Sequence, residues 1–89
     1  MKFTVVSTPV ADQQLAEIWL QSNDQQAVSD ASNQIDSLLM HDADQQGRAH
    51  PNGWRVLLVP PLVVTFRVSI DDRIATIMSV YPAPLASNH

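Results

Sequence analysis

Residues 54–81 read WRVLLVPPLVVTFRVSIDDRIATIMSVY, three apolar runs parted by Pro60-Pro61 and by Asp71-Asp72-Arg73. Rich in β-branched residues, Trp54–Val59, Leu62–Ile70 and Ile74–Tyr81 read as strands. Connections this short join only antiparallel neighbours, so the three runs form a meander. In the middle run Val64, Phe66 and Val68 alternate with Thr65, Arg67 and Ser69, which gives one face to a core and leaves the other open. With three-residue connections Arg55, Arg67, Ser79 and Tyr81 share the open face, and Trp54, Val56 and Met78 point inward. A two-residue connection moves part of that set to the core face, because side chains alternate with a period of two.

Upstream, Phe3-Thr4-Val5-Val6 reads as a short strand that stops at Ser7-Thr8-Pro9. Thr8 offers a capping hydroxyl, Pro9 suits the first helical position, and Asp12 suits the positive end of the helix dipole. The spacing of Ala11, Leu15, Ile18 and Trp19 predicts an amphipathic helix of about 13 residues, with Asp12, Gln13, Gln14, Glu17 and Gln21 on its polar side. Ser22-Asn23-Asp24 breaks it and caps a second helix carrying Val28, Ala31, Ile35, Leu38 and Leu39, which Gly47 terminates. So short a joint makes the two an antiparallel hairpin. Residues 47–53 read as a loop closed by a Pro-Asn-Gly turn, and Pro82 and Pro84 end the last strand. The expected architecture is α+β in two layers, with the helical hairpin on one face of the sheet. A single domain is expected over residues 1–82, with 83–89 a loose tail.

With 89 residues, 45% of them apolar, the chain is sized for one two-layer core. Charged residues make up only 16%, and eight Gln fill much of the deficit. The absence of Cys excludes disulfides, thiolate metal sites and cysteine nucleophiles. No apolar run approaches the ~20 residues of a membrane span and no secretory signal opens the chain, so a cytoplasmic protein without a membrane partner is expected. The formal net charge of −4 is unevenly divided, being −6 over residues 1–46 and +2 over residues 47–89. If each half forms a layer, the second can attract an anionic partner. Phosphate-binding glycine loops, GxSxG, HExxH and EF-hand patterns are all missing. His41, Asp42, Asp44 and His50 straddle a helix end and a loop, lack fixed ligand spacing and read as solvated surface, so neither a metal nor a small-molecule cofactor is expected. Trp19 and Trp54 fall on the predicted inward faces and are expected in the core.

The opening strand into Thr8-Pro9-x-Ala11-x-x-x-Leu15-x-x-Ile18-Trp19, the helix ending in Leu38-Leu39, then Gly53-Trp54-Arg55-Val56-Leu57, Phe66-Arg67-Val68 and a closing strand resemble the RelE/ParE superfamily of bacterial toxin–antitoxin toxins. The resemblance covers about residues 2–81. It implies a four-stranded antiparallel sheet of order 1-4-3-2, covered on one face by the helical hairpin. It also implies a type II toxin associated with growth inhibition and plasmid stabilisation, neutralised by a cognate antitoxin. One branch of the superfamily cleaves messenger RNA on the ribosome without a metal; the other poisons DNA gyrase. For cleavage, Arg55 and Arg67 would clamp phosphate and Tyr81 would donate a proton or stack on a base. The chain departs from the nuclease pattern with Val63-Val64 near the start of the middle strand and Tyr81-Pro82-Ala83 at the end of the last. Its few cations also disfavour ribosome-dependent cleavage, so that weight shifts to a non-nucleolytic toxin or a degenerate toxin fold that acts only by binding protein, with translation and DNA gyrase both open as targets. For the antitoxin, the expected contacts are Arg55, Leu57, Arg67 and Ile77, with the two apolar side chains exposed on the open face.

Overall fold

The computed structural model describes residues 2–83; of the expected tail, residues 84–89 lie outside the described residues. The chain runs β1 (Thr4–Ser7), α1 (Pro9–Gln21), α2 (Gln25–Asp42), a short 3₁₀ turn (Ala43–Gln45), β2 (Arg48–Ala49), β3 (Arg55–Val59), β4 (Leu62–Ser69) and β5 (Ile74–Pro82). The helix starts form as the sequence predicts. Thr8 Oγ1 accepts from the Ala11 amide at 3.1 Å, and Asp24 accepts from the Ala27 amide at 3.0 Å, each satisfying an amide with no partner inside its helix.

The sheet corrects the expectation of four antiparallel strands: it has five, in the order β1-β5-β4-β3-β2, and β1 runs parallel to β5 from the Thr4–Ile74 pair to the Ser7–Ile77 pair. The added strand, β2, is the two-residue edge Arg48–Ala49, paired with Val56 and Arg55 in a stretch that reads as loop. Parallel pairing is open to β1 because the helical hairpin separates it from the meander, so no tight turn forces it antiparallel.

Two details set the faces. Val59 pairs with Leu62, so the β3–β4 connection is the two-residue Pro60-Pro61, whose peptide bond is cis. This places Arg55, Leu57 and Val59 on the helix-covered face with Val64, Phe66 and Val80. On the other side, Ser69 pairs with Ile74 across a four-residue connection, and the register slips between Thr65 and Phe66, whose partners are Ser79 and Ile77. Met78 is thereby the extra residue of a β-bulge, which reverses the alternation of β5 beyond it.

Under the helices, Phe66, Ile35, Leu39, Leu62, Val28 and Val64 are the largest fully buried side chains. Leu57 and Ile77 belong to this core, at 9% and 8% exposure, which corrects their expected place on the open face. Neither tryptophan joins it. Trp19 is 39% exposed, and Trp54 is half-buried in the loop before β3, tilted against His50 at 5.2 Å between ring centroids.

Candidate functional site

The face of the sheet turned away from the helices is built in rows across the strands. Leu58, Val63 and Tyr81 form one row, Val56, Thr65 and Ser79 the next, and Arg67 stands beside Thr76 further along. Arg48 pairs with Val56 and extends the second row. The face therefore grades from an apolar end, where Leu58 is 57% and Tyr81 50% exposed, through a hydrogen-bonded Thr65–Ser79 hydroxyl pair, to an arginine end. Thr65 is the buried polar residue of the central strand, and its bond to Ser79 keeps that hydroxyl satisfied.

Three of the expected open-face residues, Arg67, Ser79 and Tyr81, are indeed on this face. Tyr81 is opposite Val63, four residues from Arg67 along β4, so their backbones are about 13 Å apart at ~3.3 Å per residue. Arg55 is not on it. Its side chain lies on the helix side, where Nε donates to Gln46 O at 2.6 Å and Nη2 donates to Gly47 O at 3.2 Å. These bonds tie β3 to the segment leaving the 3₁₀ turn. Arg48, missed because its segment carries loop residues, takes the place expected for Arg55. The signal that could have found it is a lone exposed Arg-Ala step before a Pro-Asn-Gly turn, a short strand that folds back on β3.

Chemically the face offers guanidinium groups, hydroxyls and one phenol. Among the described residues it presents no His, Asp, Glu or Lys within β2–β5. It can bind anionic and apolar groups together, but it lacks an ordinary general base. Among the described residues no three His, Cys, Asp or Glu side chains gather as a metal site would need, and no helix is long and apolar enough to cross a membrane.

The other sheet edge is closed by side chains. Thr8 Oγ1 donates to Met78 O at 3.1 Å and the Val80 amide donates to Gln14 Oε1 at 2.8 Å, so α1 covers β5 where β1 has ended.

This architecture recurs in solved toxin–antitoxin complexes. A chain of the chromosomal ParDE TA system from P. aeruginosa matches with TM-score 0.74 and 20% identity, covering 93% of this chain and 98% of that one. A chain of the RelBE2 toxin–antitoxin complex from Mycobacterium tuberculosis matches with TM-score 0.76 and 14% identity over 92% and 99%. The intact E. coli RelBE toxin–antitoxin complex contributes a third, with TM-score 0.56 and 11% identity over 92% and 98%. No family model and no curated protein sequence matches the chain. The shared fold is that of chains in ParDE and RelBE complexes, the two branches to which the sequence resemblance pointed.

Proposed function

We propose that this chain is the toxin component of a type II toxin–antitoxin module and that it acts without cutting RNA. The observation that carries the second half is the composition of the open face, where, among the described residues of β2–β5, Arg48, Arg67, Thr65, Ser79 and Tyr81 stand without a carboxylate, imidazole or amine. Cleavage by 2′-hydroxyl attack needs a base, an acid and clustered cations. With Arg55 engaged by backbone carbonyls on the opposite face, the cations left on the open face, Arg48 and Arg67, stand on strands separated by β3 and do not form a cluster. Binding fits the same face better: its apolar end and its two arginines suit an extended, acidic and amphipathic antitoxin segment that orders on docking. The growth-arresting target is then held rather than hydrolysed, with DNA gyrase the superfamily precedent.

Induced expression with and without the adjoining reading frame tests the toxin assignment, and primer extension on translated messages tests the mode. Growth arrest relieved by the neighbour, with messages uncut, is the expected result. Ribosomal A-site cuts that vanish in Arg67→Ala or Tyr81→Phe would overturn the non-nucleolytic reading. A face whose described strands carry no carboxylate, imidazole or amine equally suits a fold that retains only antitoxin binding; that second reading predicts a stable complex with the neighbour's product and no arrest.

A further inference from the structure

Between α1 and α2, on the side away from the sheet, lies a groove of ≈ 540 Å³ whose lining includes Asp12, Leu15, Trp19, Leu20 and Val28. Trp19 and Leu20 are 39% and 69% exposed and line the same groove, a contiguous apolar patch rather than isolated surface side chains. Because the helices are antiparallel, the groove has two unlike ends. Trp19, Leu20 and Val28 lie near the inter-helix joint, and Asp12 lies near the other end. On α2 the lining residues Ser29 and Asn33 continue at helical spacing to Asp36, which borders the adjacent cleft beneath β1. Partial withdrawal from water raises the Asp36 carboxyl above its ordinary range. Across both helices, from Pro9 to Asp42, six acidic residues occur with no Lys or Arg.

We propose that this groove docks a basic amphipathic helix from a partner protein, its apolar stripe on Leu15, Trp19 and Leu20 and a Lys or Arg reaching the carboxylates of Asp12 and Asp36. Charge complementarity selects the occupant: an acidic helix would bring like charge to two helices that carry no Lys or Arg between Pro9 and Asp42. Spacing restricts it further. Asp12 and Trp19 are seven residues apart on α1, about 10 Å at 1.5 Å per residue, so anchor and cation in the partner also stand about two turns apart on one face. This deepens the partner reading above, since the sheet face and the helical groove then select segments of opposite charge.

The test uses a labelled helical peptide of about 18 residues, with Leu at i and i+4 and Lys at i+7 and i+11, and a twin with Glu for Lys. Fluorescence anisotropy against the full chain should show saturable binding of the Lys peptide, roughly tenfold or more tighter than the Glu peptide. Asp12→Asn with Asp36→Asn should erase that preference, and Leu20→Ser, at a position exposed enough to spare the fold, should weaken binding of both peptides. In a Trp54→Phe background Trp19 is the sole indole and its emission should shift on binding. No saturable binding, equal binding of the two peptides, or a charge preference that survives in the double Asn variant would overturn the proposal. Growth arrest on expression is read separately, so failure of the groove leaves the toxin assignment to its own assay.

Discussion

The Arg55 guanidinium ends on two backbone carbonyls, Gln46 O and Gly47 O, at a point where the chain has left one layer and is entering the other. Arg55→Ala should therefore cost about 1–2 kcal/mol in denaturant unfolding, since two charge-assisted bonds are lost. Arg67→Ala, on the exposed face, should stay within about 0.5 kcal/mol of the parent while weakening the complex with the proposed antitoxin. The neighbouring Gly47 has φ +69, and a Cβ there would collide with the Val56 carbonyl; Gly47→Ala should destabilise by about 2 kcal/mol or more. At Asp36 the sign runs the other way. Burial holds its folded pKa above the unfolded one, so ionisation opposes folding: the stabilising protonated form is fully present only below the unfolded pKa and is lost as pH rises through the folded one. Asp36→Asn should raise the Tm at pH 7, with the gain shrinking below about pH 4, where an unperturbed Asp is itself protonated.

The helices were legible because their signals are local. Thr8, Pro9 and Asp24 act within one turn of themselves, and the observed caps use them. Face assignment was less legible because it depends on parity, which a single inserted residue reverses. On β3, the two-residue Pro60-Pro61 connection turned Leu57 inward and Leu58 outward. On β5, a longer connection and the Met78 bulge offset one another, so Ser79 and Tyr81 reached the expected face while Ile77 did not. The groove was hidden for a different reason: the apolar period that places Trp19 on the hairpin does not say whether the sheet is wide enough to cover it. The cap on the β5 edge was also invisible, because Gln14 and Val80 meet only after the layers pack. Gln14→Ala should leave the Val80 amide without its partner, costing about 1–2 kcal/mol and speeding hydrogen exchange at that amide, while exchange at the β3–β4 ladder remains slow.

Across the whole molecule, acidic helices cover one side of a sheet whose other side bears Arg48 and Arg67, so the layers carry the opposite charge expected from the two halves of the sequence. A protein so divided should bind free RNA weakly at physiological salt, since two face arginines release few counterions; a filter-binding titration giving tight, steeply salt-dependent RNA affinity would contradict this. The pairing of β1 with β5 also bears on when the molecule comes into being. Residues 4–7 find their strand partner only at residues 74–77, and Phe3, from the same end, is buried with Ala75 and Val80 in the completed core. During synthesis the hairpin of helices emerges early but has no sheet to lie on, and the opening strand waits without a neighbour until β5 has cleared the exit tunnel. Contacts of such long sequence separation form late. Whatever the sheet face does is therefore withheld from the nascent polypeptide until residues 74–77 have been made and have left the tunnel, long after both helices are out.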